Sequence, residues 1–126
     1  MKTNEDERGA IEQALKRYYF QGIFEGNVEL LNKVFYPGSF VLGDINGKPY
    51  AKTLAEYLDG VAHRTSPKDS GQPYETEIIE IDVINSIAVA KVRVTMYEFN
   101  YYDFLAFHQL DGQWVIVNKM LTHVEQ

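Results

Sequence analysis

Asp103 is the side chain in this sequence best suited to acid–base chemistry. It follows Tyr101 and Tyr102 and precedes Phe104. A carboxyl group surrounded by aromatic and apolar side chains resists ionisation, so its pKa rises toward neutrality and it can exchange protons at physiological pH. The alternative is structural, because Asp103 could also cap a strand end or pair with a base such as Lys119.

Tyrosines and an asparagine could complete a site around this carboxyl group. Tyr18, Tyr19 and Tyr57 fall on helix faces that are expected to look toward the sheet. A phenol at the bottom of an apolar cavity can stabilise an enolate, and we take Tyr18 as the catalytic partner of Asp103. Asn118 could donate a hydrogen bond to a ligand carbonyl group. The alternatives are structural. The tyrosines could be core residues whose hydroxyls bond to the backbone, and Asn118 could make only internal hydrogen bonds.

The sequence gives less support for a metal site, a nucleophile or a phosphate-binding loop. His63, His108 and His123 are far apart in the sequence, and none has the i, i+4 helical spacing of a zinc pair. The absence of cysteine excludes thiol nucleophiles and thiolate zinc sites. There is no glycine-rich phosphate loop and no Gly-x-Ser-x-Gly motif. We therefore expect neither a metal nor a cofactor. Asp44 could supply an acid at a pocket rim, but it also fits an ordinary turn.

The composition limits the classes of function further. The chain has a net charge of −6, with 45% apolar and 24% charged residues. Nucleic-acid binding depends on phosphate neutralisation by Lys and Arg, and no basic cluster is present. No apolar run has the form of a signal peptide or a membrane span, so we expect a cytoplasmic protein. The length predicts one domain covering residues 1–126.

Three helices are predicted in the first half of the chain. The first shows helical apolar spacing and ends at Gly26. Asn27 can cap a short second helix, which stops at Tyr36-Pro37-Gly38. Thr53 can cap the third helix, because Glu56 stands at capping-box distance.

Strands are predicted to follow, and the Asp111-Gly112 pair between alternating apolar residues is the strongest hairpin signal. The expected elements are a small hairpin followed by four long antiparallel strands: 39–44 with 48–52, then 74–84, 87–99 and two strands within 101–124. Helices followed by an antiparallel meander predict an α+β domain. Long strands twist and curl, so helices across the sheet would form a cone with a central pocket.

A two-residue turn at Asp111-Gly112 sets the predicted register of the last two strands. Ile116 would then lie opposite Phe107, Asn118 opposite Leu105, and Met120 opposite Asp103. A different turn would move every side chain to the other face. The expected pocket residues are Tyr18, Tyr57, Val92, Val94, Met96, Asp103, Leu105, Phe107, Trp114, Ile116, Asn118 and Met120. Both registers of the final strand are apolar, so its outer face should meet a second subunit through Thr95, His108, Val115, Val117 and Leu121.

The order of elements resembles the nuclear transport factor 2-like superfamily, which has a cystatin-like, cone-shaped α+β fold. Three segments resemble the branch labelled putative lumazine-binding proteins, namely 103–105 (Asp-Phe-Leu), 111–114 (Asp-Gly-Gln-Trp) and 116–119 (Ile-Val-Asn-Lys). His108 departs from the branch pattern, which has an aliphatic residue there. The resemblance implies a homodimer formed through the outer sheet face and a pocket between sheet and helices. The superfamily contains enzymes as well as binding and assembly proteins, so the fold does not assign the chemistry.

The sequence is compatible with three hypotheses. The first is a homodimeric protein that binds a small apolar or aromatic molecule in a pocket of roughly 300–1,000 Å³. The second is an isomerase or dehydratase that needs no cofactor and uses Asp103 with a tyrosine. The third is an association module whose cavity is filled by its own side chains.

Overall fold

A computed structural model describes residues 4–125. The helices are α1 (Asn4–Ala14), α2 (Gln21–Glu25), α3 (Val28–Asn32), α4 (Leu54–His63) and α5 (Pro67–Ser70), and a π-helical segment, Leu15–Phe20, joins α1 to α2. The strands are β1 (Phe35–Ile45), β2 (Lys48–Thr53), β3 (Glu75–Ile84), β4 (Ile87–Met96), β5 (Phe99–Leu110) and β6 (Gln113–His123). None of the helices in this described part is long and apolar enough to cross a membrane.

The six strands form one curved sheet in the order β2-β1-β6-β5-β4-β3. Neighbouring strands are antiparallel except for β1 and β6, which run parallel. The α+β cone predicted from the sequence is confirmed, and its sheet does not close. One detail differs, because β1 has 11 residues and lies inside the sheet rather than in a separate small hairpin. The Ser39 hydroxyl helps to hold β1 there by donating to the Ile116 carbonyl at 2.7 Å.

Local signals in the sequence predicted the stop at Gly26 and the starts at Asn27 and Thr53 correctly. Gly26 adopts the left-handed conformation (φ 66°) that ends α2. The Asn27 side chain accepts a hydrogen bond from the Leu30 backbone amide and so caps α3. Thr53 and Glu56 form the predicted reciprocal capping box at the start of α4.

The predicted stop at Tyr36-Pro37-Gly38 is wrong, because α3 ends at Asn32 and β1 begins at Phe35, which pairs with Ile116 of β6.

The π-helical segment decides which residues of the first helix face the core. Ile11, Leu15, Tyr19 and Ile23 recur every four residues, and all are at most 1% exposed. A π-helix has more residues per turn than an α-helix, so four-residue spacing stays on one face through this segment. Tyr18 consequently lies at the edge of the core, partly buried and outside the cavity wall, with the Lys33 ammonium group 5.8 Å from the centre of its ring. The predicted place of Tyr18 in the pocket is wrong for this reason.

A β-bulge changes the register of the final hairpin. Ile116 pairs with Phe107 as predicted, but the pairing shifts by one residue at Val117. Asn118 therefore lies opposite Ala106, and Met120 lies opposite Phe104, so both predicted pairings are wrong. An extra residue in one strand reverses the facing of every side chain beyond it.

The reversal exchanges the two faces of β6 beyond the bulge. Lys119 and Leu121 turn to the inner face and are buried, whereas Met120 is 51% exposed on the outer face. Leu121 was expected at the dimer surface, and this placement is wrong because it lies opposite Asp103 on the inner side. Asn118, which is partly buried, shares the outer face with Met120.

Candidate functional site

A cavity opens between the inner face of the sheet and the helices. The space that the centre of a water molecule can occupy is about 50 Å³. That is enough for a few water molecules. It is well below the roughly 300–1,000 Å³ expected from the sequence for a small-molecule pocket, so the side chains of the wall would have to move to admit an organic ligand. The wall combines apolar, aromatic and charged side chains: Ile23, Ile45, Tyr50, Tyr57, Arg64, Val94, Met96, Tyr101, Asp103, Lys119 and Leu121.

Asp103 stands on β5 in the cavity wall and is 2% exposed. The Tyr19 hydroxyl donates a hydrogen bond of 2.6 Å to Asp103 Oδ2. Burial raises the pKa of the Asp103 carboxyl group, while the Lys119 charge and the Tyr19 hydrogen bond oppose that rise. Burial, followed by the Asp103 charge, raises the pKa of Tyr19 well above its ordinary value. The pair therefore combines a carboxyl group that protonates readily with a phenol that keeps its proton.

Lys119 is the second buried ionisable group of the cavity, and it is 5% exposed. Its Nζ donates to the Tyr57 hydroxyl oxygen at 3.0 Å and lies 4.5 Å from the centre of the Tyr57 ring. It is also 5.1 Å from the centre of the Tyr19 ring. Burial acts to lower the pKa of Lys119, but Tyr57 and Asp103 outweigh it and raise the pKa above the ordinary value. Lys119 is therefore an ammonium cation held by aromatic faces and by a phenol oxygen.

Arg64 brings a second cation to the cavity. It directly follows α4, and its guanidinium carbon lies 5.7 Å from the centre of the Tyr97 ring. Its Nε and Nη2 atoms are buried and have no hydrogen-bond partner among residues 4–125. Tyr50 and Tyr101 complete this part of the wall, and burial raises the pKa of both phenols.

Four of the residues predicted for the pocket line the cavity, namely Tyr57, Val94, Met96 and Asp103. Five others are on the inner face but are buried in the core outside the cavity wall: Val92, Leu105, Phe107, Trp114 and Ile116. Alternation along a strand identifies the inner face, but it does not say how far along the strand the helices leave open space.

Three further predictions fall outside the cavity. Tyr18 is displaced by the π-helical segment, and Asn118 and Met120 are displaced by the bulge at Val117. Asp44 also lies away from the cavity, where the Thr122 hydroxyl donates to its Oδ1 at 2.5 Å in an exposed position.

Lys119, Arg64, Tyr50 and Tyr101 were not among the predicted site residues. The sequence pattern indicates Lys119 only as a structural partner of Asp103. A bulge in β6 could not be inferred from the apolar pattern, because both registers of that strand are apolar. Arg64 follows the last turn of α4, where a basic residue is ordinary and draws no attention in the sequence.

The histidines are dispersed in the structure as well. His63 contacts Asp59 in the exposed last turn of α4, at 3.3 Å from its carboxylate. The His123 ring accepts a hydrogen bond from the Asn100 backbone amide. Within residues 4–125, no three His, Asp or Glu side chains come together in an arrangement suited to a metal ion.

Solved structures share this architecture at low sequence identity. A protein of unknown function from Silicibacter pomeroyi DSS-3, described as NTF-2 like, superposes with a TM-score of 0.87 at 18% identity, over 98% of this chain and 100% of that chain. An NTF2-like protein of unknown function from Shewanella baltica OS155 gives 0.87 at 20% identity over 100% of both chains. An NTF2-like protein of unknown function from Methylobacillus flagellatus KT superposes with a TM-score of 0.84 at 22% identity, over 98% of this chain and 96% of that chain. At these identities the likeness establishes the fold.

Sequence comparison adds a relative and a family. The relative is a protein named aldolase FrzH from Cladobotryum sp., which is 22% identical over 102 residues, covering 81% of this chain and 80% of that protein. The family model described as "Putative lumazine-binding" matches residues 6–122. The match spans nearly all of the chain, and the solved structures carry the same cone-shaped fold. The chain therefore belongs to the putative lumazine-binding family and has the fold of the NTF2-like structures.

Proposed function

We propose that this protein binds a small organic molecule in the cavity between sheet and helices. The observation that supports this most directly is the convergence of buried polar groups on one space. The Asp103–Tyr19 pair and the Lys119–Tyr57 pair both meet there, between apolar walls. A few convergent polar groups in an otherwise apolar concavity are typical of small-molecule sites.

The aromatic walls favour a ring or another planar body as the ligand. Tyr50, Tyr57 and Tyr101 line the cavity with Met96 and Val94. Aromatic side chains offer large, rigid contact surfaces to planar molecules. The small volume of the cavity, about 50 Å³, supports the alternative of an association module whose own side chains fill the cavity. The two ionisable side chains buried in its wall, Asp103 and Lys119, are the observation that favours a binding site over that alternative.

A blocked-cavity variant tests the binding proposal. Ile45 lines the cavity but is only partly buried, so Ile45→Trp can obstruct the opening with little strain on the core. Ile79→Trp is the matched control, because Ile79 is 48% exposed and lies outside the cavity wall. We expect fragments detected by ligand-observed NMR to bind wild type and Ile79→Trp, and to lose binding in Ile45→Trp. Equal binding to all three proteins would place any ligand site elsewhere.

A second candidate function is proton transfer by Asp103 in an isomerase-type or dehydratase-type reaction. The specific support is the buried Asp103 carboxyl group, whose pKa is raised by burial and which accepts a hydrogen bond from the Tyr19 phenol. Lys119 donates to the Tyr57 oxygen, so the Tyr57 hydrogen remains free to point into the cavity. In this proposal ionised Asp103 takes a proton from a carbon next to a carbonyl group. The Tyr57 hydroxyl donates to the carbonyl oxygen, which gains negative charge.

Hydrogen–deuterium exchange tests this second candidate without knowledge of the substrate. A panel of small ketones is incubated in D₂O, and loss of the protons beside the carbonyl group is followed by NMR. We expect Asp103→Asn to slow enzyme-dependent exchange by about 10²-fold or more, the usual contribution of a general base. Exchange no faster than in buffer alone, or equally fast in Asp103→Asn, would contradict acid–base function.

We further propose that the outer sheet face joins two copies of this chain. Exposed apolar residues align across neighbouring strands there, with Leu42 beside Met120 and Met120 beside Phe104. Their exposed fractions are 40%, 51% and 51%, respectively. Contiguous apolar surface of this kind marks an association site.

The residues predicted for the dimer surface divide between the two sides of the sheet. Four of them are partly buried, namely Thr95, His108, Val115 and Val117. They remain part of the proposed dimer surface on the outer face of the sheet. Leu121 is excluded from it, because the bulge places Leu121 in the cavity wall.

A further inference from the structure

We infer that the cavity selects a small organic anion, whose negatively charged head is held by the Arg64 guanidinium group. This inference rests on the proposed ligand-binding function and names the chemical class of the ligand. Carboxylates and phosphate esters share the chemistry that would be recognised, namely oxygen acceptors that carry negative charge on an apolar body.

The first argument is the hydrogen bonding of Arg64. Two of its nitrogen atoms, Nε and Nη2, are buried in the cavity wall and bond to no residue in the described range. An arginine side chain stays charged, and its planar donors match the two oxygens of a carboxylate or phosphate. Buried donors without partners are costly, so they are retained where a ligand completes them.

The second argument is the charge of the cavity wall. Arg64 and Lys119 are cations there, and Asp103 is the carboxylate among the lining residues. Asp103 already accepts from Tyr19, and Lys119 already donates to Tyr57. Arg64 hydrogen-bonds Tyr97, but its Nε and Nη2 atoms remain without a partner in the described range. With two cations and one carboxylate in the wall, the cavity keeps a net positive charge, which favours an anionic ligand.

The third argument is the separation of Arg64 from Asp103. Asp103 is 2% exposed, whereas Arg64 keeps partial exposure at the end of α4. Lys119, rather than Arg64, is the cation whose charge acts on Asp103. An anionic head at Arg64 can therefore avoid the Asp103 carboxyl group, while the apolar body lies against Tyr50 and Tyr101.

Matched anionic and neutral probes test this inference. Benzoate, phenyl phosphate and benzamide are titrated into ¹⁵N-labelled protein, and shifts of cavity residues report binding. We expect one or both anions to bind wild type about tenfold or more tightly than benzamide, as charge-assisted bonds to Arg require. Arg64→Gln should abolish this preference, and Arg17→Gln, at an exposed site on the first helix, should keep it.

The outcomes separate the two proposals. If benzamide binds in the cavity as tightly as both anions, anion selection is overturned while ligand binding stands. If no probe shifts a cavity residue, both proposals fail. If the preference survives in Arg64→Gln, the anion is held by another group and the role given to Arg64 is overturned.

The stability of the ligand-free protein provides a second, independent measurement. Arg64→Met removes the unpartnered donors and keeps a long side chain that can pack on the Tyr97 ring. We expect its urea midpoint to equal or exceed that of wild type, because binding groups are often retained at a cost in stability. A clear fall in the midpoint would show that Arg64 supports the fold, and it would overturn the inference.

Discussion

The Tyr19 hydroxyl and the Asp103 carboxylate are joined by a 2.6 Å hydrogen bond although 84 positions separate them in the sequence. Tyr19 comes from the π-helical segment after α1, and Asp103 comes from β5. Both are almost completely buried. This contact ties the first helix to the sheet and places an ionisable pair at the cavity.

The first prediction concerns the ionisation of Asp103. Tyr19→Phe removes a donor that favours the carboxylate form, so the Asp103 pKa should rise further. Side-chain carboxyl NMR over a pH titration measures this directly. The wild-type value should already exceed about 3.9, the ordinary value for aspartate.

Tyr18→Phe is the control for that prediction, because it makes the same change one position earlier, where the side chain does not meet Asp103. It should leave the Asp103 pKa unchanged. A wild-type pKa at the ordinary value, or an equal effect of the two variants, would remove the basis for acid–base chemistry.

The second prediction is a pH-dependent stability difference between Asp103→Asn and wild type. Burial raises the folded-state pKa of Asp103, so in the pH range between the unfolded and folded pKa values the folded state binds more protons. Wild type therefore loses stability as pH rises through that range, and Asp103→Asn lacks this loss.

Urea unfolding at a series of pH values measures the effect. The free energy of unfolding of Asp103→Asn, relative to wild type, should increase with pH by at most about 1.4 kcal/mol per pH unit, the limit for one proton. The difference should level off above the folded-state pKa. A difference that does not change with pH would mean that the carboxyl group ionises as readily in the fold as in the unfolded chain.

The third prediction concerns the close approach of β1 and β6 beside the cavity. Gly43 has φ +149°, and a Cβ there would lie 1.8 Å from the Leu121 carbonyl oxygen. Gly43→Ala should therefore destabilise the protein by about 3 kcal/mol or more, because backbone must move. Gly60→Ala is the control, since a Cβ there meets nothing within 4 Å and α4 should gain about 0.5–1 kcal/mol. Similar denaturation midpoints for the two variants would contradict the close packing of these strands.

The fourth prediction tests the proposed dimer. Phe104→Glu places a charge in the centre of the outer apolar face and should convert a dimer into a monomer in sedimentation-velocity experiments. Ile79→Glu, at a similarly exposed apolar residue on β3, should leave the dimer intact. A wild-type protein that sediments as a monomer would exclude the proposed interface.

Local sequence signals predicted much of the fold because they act within a few residues. The capping box at Thr53, the glycine stop at Gly26 and the Asp111-Gly112 turn were all read correctly. The length of β1 and its place inside the sheet were not predicted, because β1 pairs with β6 and the two strands are more than 70 residues apart in the sequence.

The candidate site was predicted less completely than the fold. Asp103 and Tyr57 were placed in the cavity wall, whereas Asn118 and Met120 were assigned to the wrong face. Each of those errors follows from a single extra residue at Val117. A period-2 pattern cannot reveal a bulge when both registers of the strand are apolar.

The sequence by itself determined the starts of the main helices, the final hairpin turn, the α+β class and the family, since these depend on residue type and short-range spacing. It did not predict the short helix α5 or the end of α3. Only the tertiary structure decided which polar side chains meet in the cavity. The π-helical segment selected Tyr19 over Tyr18, and the β6 bulge selected Lys119 over Asn118. Each of these features changes by one residue which side chains face the cavity. Both arise from packing between distant elements rather than from local conformational preference.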